Sequence, residues 1–219
     1  MRIRSSIALS IGLAMCLSIV VRADDERLKN AEAVLKELAG TPDNGIPLGL
    51  LKNAKCVVIV PGVKKAALGI GGEYGRGYIS CRNGDSWSAP GGIRIEGGSI
   101  GLQIGGSGTD LVLLVHDDRG AAKLLSSQFK VGGDASVAAG PVGRSASAAT
   151  DITFSAEILA WSRAKGLYAG VSLQGSTIRE DGSENKELYG KTISNKEVVS
   201  GTTAVPKAAE GLIAALSKY

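Results

Sequence analysis

The sequence predicts an α+β fold: a strongly curved, glycine-rich antiparallel β-sheet or barrel-like core, with an amphipathic helix at each end and a short internal helix. Three observations carry this. Apolar residues recur at helical spacing near both ends, at Leu28, Ala31, Leu35 and Leu38 and again at Ala209, Leu212, Ile213 and Leu216. Between them lie β-branched runs and period-two segments, the signature of strands. Glycines, 31 in 219 residues, crowd between Gly69 and Gly108 among those strand signals. Glycine inside strands permits bends, bulges and close backbone approach, so the sheet is expected to curve rather than lie flat.

At the start of the chain, Arg2 and Arg4 precede an apolar run from Ile7 to Val21 that closes on Val21-Arg22-Ala23. About 15 apolar residues are too few to span a bilayer, so residues 1–23 read as a secretory signal peptide and residues 24–219 as one exported domain, periplasmic or secreted. The first helix opens on Asp24-Asp25-Glu26, where acidic charge suits a helix start, and ends at Gly40 and Pro42. Its outer face mixes Glu and Lys, which favours docking on the domain over insertion in a membrane.

A turn at residues 41–47 and a short helix through Leu50-Leu51 lead into Cys56-Val57-Val58-Ile59-Val60, a run suited to a strand buried on both faces and stopped by Pro61-Gly62. Ile93 and Ile95, then Ile100, Leu102 and Ile104, alternate with polar residues or glycine on either side of Gly97-Gly98, which reads as a β-hairpin. Leu111 to Val115 is a second apolar strand, Asp118 to Ser126 the internal helix, and Phe129 to Ala139 extended. Further strands follow around Ile152 to Trp161 and Leu167 to Gln174. After a charged segment around Arg179 to Lys186, Pro206 opens the last helix, about residues 206–218.

Charge narrows the function. Three of the 25 basic residues, Arg2, Arg4 and Arg22, leave with the signal peptide, so the mature balance is 22 basic against 21 acidic. Global attraction to nucleic acid or to an anionic membrane does not follow, and any such contact must be local. Only 4% of residues are aromatic and no basic stripe runs among them, so no nucleic-acid partner is expected. One histidine and no Cys-x-x-Cys pair supply no zinc ligand set, and no cofactor is expected. Cys56 and Cys81 are bound for an oxidising compartment. They read either as a disulfide or as two buried thiols.

Catalytic signals are thin. Gly97-Gly98-Ser99-Ile100-Gly101 has the G-x-S-x-G form of a hydrolase elbow, followed by Asp110 and His116. The elbow needs a strand-to-helix turn, whereas this motif sits among strands, so the match reads as accidental. Gly69 to Gly75 lacks the spacing of a phosphate loop. Local cations remain, each beside a turn: Lys64-Lys65 after Pro61-Gly62, Arg144 in Gly-Pro-Val-Gly-Arg, and Arg163 with Lys165 between two strands. If they converge beside glycine-exposed N–H groups they suit phosphate headgroups.

Several blocks say more than their periodicities do. Asn53-Ala54-Lys55, Trp87-Ser88-Ala89-Pro90, Thr109-Asp110, Gly133 to Arg144, Ser162 to Ser176 and Asn185 to Gly190 resemble, in order and spacing, the SYLF family over about residues 27–201. The resemblance implies a non-enzymatic lipid-binding domain, with phosphoinositide or other anionic phospholipid as ligand in eukaryotic relatives and actin binding in some. This chain departs from them in the acidic start of its first helix. The expectation is an exported, bacterial-type member that binds an anionic phospholipid or membrane surface through Lys64, Lys65, Arg144, Arg163 and Lys165. The alternative is a cell-envelope structural or protein-interaction module.

Overall fold

The computed structural model describes residues 25–38, 45–101, 107–126, 128–134, 136–143, 156–164, 167–171, 173 and 175–219, without the side chains of 65–71, 98–101 and 107. The signal-peptide reading of 1–23, the end of the first helix and most of the 41–47 turn lie outside these residues, as do Arg144 and Lys165.

Helix α1 (25–38) and α2 (Leu48–Lys52) precede a curled sheet of nine strands. In chain order these are β1 (Cys56–Asn83), β2 (Ser86–Trp87), β3 (Gly91–Gly101), β4 (Ser107–Val115), β5 (Gln128–Lys130), β6 (Val137–Ala139), β7 (Ile158–Ala164), β8 (Leu167–Gly170) and β9 (Ser176–Glu180). The sheet order is β5-β9-β3-β1-β4-β7-β6, with β2 beside β1 and β8 beside β7. Helix α3 (Asp118–Leu124) follows β4, and α4 (Gly182–Tyr189), α5 (Asn195–Val198), a 3₁₀ turn (Lys207–Ala209) and α6 (Glu210–Leu216) close the chain. The fold is α+β with a curved sheet, a half-barrel. It is mixed rather than wholly antiparallel, because β6 runs parallel to β7.

Strand β1 makes the curl. Its first arm pairs with β4 (Cys56↔Val115 to Lys65↔Ser107) and its second with β3 (Gly69↔Gly101 to Ile79↔Gly91). Extended at ~3.3 Å per residue, 28 residues would reach ~90 Å, yet the Cα atoms of Cys56 and Cys81 lie 4.0 Å apart and their sulfurs form a disulfide. Arg82 N–H donates to the Lys55 carbonyl beside it at 2.8 Å, which closes the corner.

Pro61-Gly62 does not end the strand. The register shifts between Val60 and Val63, a bulge in which proline has no N–H to leave unpaired and Gly62 takes φ +63°. The Gly62 N–H, out of the ladder, donates to Asp110 Oδ1 at 2.9 Å. Gly97-Gly98 is likewise not a hairpin turn. Both glycines lie inside β3, opposite Glu73 and Gly72, so the glycines serve curvature within a continuous strand.

The apolar run at 56–60 is buried on both faces. Val58 and Val60 point into the barrel with Ile79, Ile93, Ile95, Leu111, Leu113, Phe129, Ile158 and Ile178. Val57 and Ile59 point outward with Val112, Leu114, Leu159 and Trp161, under a layer formed by α1, α2 and α6. In α1 the periodic positions Leu28, Ala31, Leu35 and Leu38 are all buried here, so this helix docks on the domain.

Candidate functional site

Helix α1 crosses the outer face of the sheet and leaves an open cleft of about 510 Å³ along one side. The helix contributes Glu26, Arg27, Asn30, Ala33, Val34 and Glu37; the sheet contributes Pro61 and Gly62 of the bulge, Asp110 and Arg163. Asp110 faces Arg163 across β4 and β7, and its second oxygen accepts from Arg163 Nε at 2.8 Å. Arg163 Nη1 also pairs with Glu37 of α1. The guanidinium is thus held between two carboxylates, one from the sheet and one from the helix. Tyr168, opposite Arg163 on β8, donates its hydroxyl to the Val34 carbonyl at 3.0 Å, and burial pushes its pKa up to about 12.

The five cations singled out from sequence fare differently. Lys64 is exposed on β1 opposite Gly108 and pairs with no acid among the described residues. Lys65 is next to it on the strand, opposite Ser107. Arg163 is engaged as described. Arg144 and Lys165 lie outside the described residues. Their neighbours are placed: Gly143 N–H donates to the Gly45 carbonyl at 3.1 Å, and Ala164 ends β7.

The other end of α1 is fixed by a polar cluster that sequence reasoning missed. Residues 179–186, a charged segment in the sequence, span the end of β9 and the start of α4. Glu184, 1% exposed, pairs with Arg27 Nη1 of α1 at 2.5 Å and with Arg76 Nη2 of β1 at 3.1 Å, and accepts the Tyr78 hydroxyl. Asp181, also buried, caps α4 and takes Arg76 Nε at 2.5 Å and Ser183 Oγ at 2.6 Å. One turn on, Asn185 Oδ1 accepts from Gly92 N at 2.7 Å while its amide donates to Ile193 O and Asn195 Oδ1. The Asn185 to Gly190 block is therefore a buttress that ties the C-terminal segment to β3. Signals for it were present: Asp181 three residues before Glu184, Gly190 after Tyr189, and Ser194-x-x-Glu197, which forms a capping box at α5.

Asp181 gives the cluster a pH dependence. Burial alone would raise its pKa, but hydrogen bonds from Arg76 and Ser183 outweigh it and hold the carboxyl below its usual value. A lowered folded pKa contributes stability that is complete above the unfolded value, ~3.9, and is lost as pH falls through the folded one. Urea midpoints measured from about pH 6 downward should fall below about pH 4, and Asp181→Asn should be less stable at neutral pH with a shallower acid limb. Equal acid limbs in the two proteins would contradict the assignment.

The hydrolase match lacks its context. Ser99 lies within the continuous strand β3, not on a strand-to-helix turn. Asp110 is taken by Gly62 and Arg163. His116 follows β4, its pKa lowered by burial. Among the described residues no group of three or more His, Cys, Asp or Glu is arranged to hold a metal, and no helix is long and apolar enough to cross a membrane.

Fold and cleft together define a half-barrel domain with a helix clamped across its outer face by ion pairs. A family model described as Ysc84, Las17-binding protein actin regulator, matches residues 96–219, more than half of the chain. Protein YSC84 of Saccharomyces cerevisiae is 38% identical over 175 residues, 78% of this chain and 37% of its own. LAS seventeen-binding protein 3 of the same species is 37% identical over 179 residues, 80% of this chain and 39% of its own. SH3 domain-containing YSC84-like protein 1 of Homo sapiens is 32% identical over 198 residues, 87% of this chain and 58% of its own. The chain belongs to the SYLF (Ysc84) family, a family of actin-regulator domains rather than of enzymes. It spans from 37% to 58% of the length of these relatives.

Proposed function

We propose that this chain is an exported, non-catalytic SYLF domain that docks on anionic phospholipid surfaces. The observation that carries the reading is Lys64, exposed and unpaired among the described residues, with Lys65 beside it at one end of the sheet next to the Pro61-Gly62 bulge. A near-neutral mature chain has to bind an anionic surface through such a local group, since each lysine near the surface contributes ~1 kcal/mol. Arg163, held by Asp110 and Glu37, contributes chiefly by fixing α1 against the sheet.

Co-sedimentation of the mature chain with phosphatidylcholine vesicles, with and without phosphatidylglycerol, tests this. Binding is expected only to the anionic vesicles at low salt. Absence of binding there removes the lipid reading, and binding unaffected by charge reversal of Lys64, Lys65, Arg144, Arg163 and Lys165 removes the site.

A second reading, an envelope or actin-type protein partner, has its own support. The relatives' names describe actin regulation and Las17 binding. The cleft also presents Glu26, Glu37 and Asp110 against Arg27 and Arg163, a lining that suits a basic protein segment better than a phosphate. Pelleting with actin filaments, unchanged by added vesicles, would favour it.

A further inference from the structure

Strands β1, β3 and β9 set three arginines side by side. The register pairs Arg76 with Arg94 and Arg94 with Arg179, so all three lie in one row across the second arm of the sheet. Ile93, Ile95 and Ile178 point into the barrel, and strand alternation turns the arginines outward. Like charges directly opposite one another on a sheet repel. Arg76 is relieved by Asp181 and Glu184. Arg94 and Arg179, both 38% exposed, share one carboxylate, that of Glu96 two residues along β3. Its Oε1 lies 2.9 Å from Arg94 Nε and its Oε2 3.5 Å from Arg179 Nε. Neither approach has the alignment of a hydrogen bond: both Nε atoms are shut off from solvent and, among the described residues, donate to nothing. Two positive charges thus meet one negative charge, with two enclosed donors left over. In the row of Glu96, Lys130 of β5 faces Thr177 and is exposed, near Asp134, which accepts its backbone N–H.

We propose that Arg94 and Arg179 form a binding site for the phosphate group of a small solute, and that Glu96 is the internal carboxylate that this phosphate displaces. A guanidinium fork, Nε–H with one Nη–H, matches two oxygens of a phosphate. Directly opposed residues on neighbouring strands have Cα atoms ~4.5–5.5 Å apart, so two such forks can close on one tetrahedral group. A phosphate monoester carries a charge near −2 at neutral pH and balances both arginines, where a carboxylate balances one. Because both Nε atoms are closed to solvent, the group that reaches them has to fit where the Glu96 carboxylate lies, which suits a small solute better than a bilayer surface. The site lies on the arm of β1 that pairs with β3, away from Lys64, which faces β4. It does not rest on the lipid reading.

Isothermal titration calorimetry of residues 24–219 with methyl phosphate at about pH 7.5, against chloride at equal ionic strength, tests the proposal. Arg94→Gln and Arg179→Gln should each weaken binding at least tenfold, the usual scale for losing hydrogen bonds to a charged group. Glu96→Gln should tighten it about threefold, because the competing charge goes while the side-chain shape stays. These opposite signs separate a ligand site from a triad that merely supports the sheet, which would lose stability in all three variants and bind phosphate in none. Binding should also weaken below about pH 6, where the ester takes up its second proton. No saturable binding by the parent or by Glu96→Gln, or binding that both arginine variants leave unchanged, overturns the site. Arginine-dependent binding to phosphatidic acid vesicles without any to methyl phosphate overturns the small-solute assignment.

Discussion

Gly77→Ala is expected to cost about 3 kcal/mol or more, the top of the range for overpacking a close-packed interior. The two arms of β1 cross at this residue. A Cβ there would lie 2.7 Å from Val60 Cα and closer still to the Ile59 carbonyl oxygen, both backbone atoms of the opposite arm that no rotamer change moves aside. Relief requires the arms to separate, and with them the Cys56–Cys81 corner and the core between Ile79 and Val60. Gly49→Ala is the control: nothing lies within 4 Å of its Cβ, and α2 should gain up to about 1 kcal/mol of helix propensity. Thermal and urea unfolding of the two variants measure the contrast. A Gly77→Ala protein that melts with the parent would mean that the arms do not approach as described.

Removing the carboxylate of Glu184 should cost about 3–5 kcal/mol, the usual penalty for breaking a buried ion pair from one side. Glu184→Ala leaves Arg27 and Arg76, 19% and 24% exposed, without the charge they share, and the Tyr78 hydroxyl without its acceptor. Three elements lose their common point of attachment: α1, the second arm of β1, and α4. Glu184→Gln keeps the oxygen acceptor and should fall between the parent and the alanine variant. Urea midpoints at neutral pH read the series, and an alanine variant within about 1 kcal/mol of the parent would show that solvent replaces the carboxylate at little cost.

What was legible in the sequence was whatever local periodicity controls. The outer helices and the strands at 56–60 and 111–115 bury the side chains that their patterns single out, because burial on one stripe or on both faces is what those patterns encode. Continuity of the long strands was not legible. Pro61-Gly62 reads as a stop, yet its freed N–H finds Asp110, 48 residues away, and Gly97-Gly98 reads as a turn, yet each glycine faces a partner on β1. Helix α4 was hidden for a different reason. Its buried residues, Glu184 and Asn185, are polar, so no apolar period announces it, and their partners lie on β1, β3 and α1. The cations were visible as local spots, but whether a spot is free depends on distant acids. Asp110 and Glu37, 53 and 126 residues from Arg163, decide that Arg163 is held while Lys64 stays exposed.

Vesicle binding by residues 24–219 and by their Lys64→Glu/Lys65→Glu double variant tests the central claim most directly. At about 1 kcal/mol for each lysine lost, affinity for phosphatidylglycerol-containing vesicles should fall at least tenfold in the double variant, while unfolding stays that of the parent. Equal affinity of the two proteins, or equal binding of the parent to neutral and anionic vesicles, would contradict it.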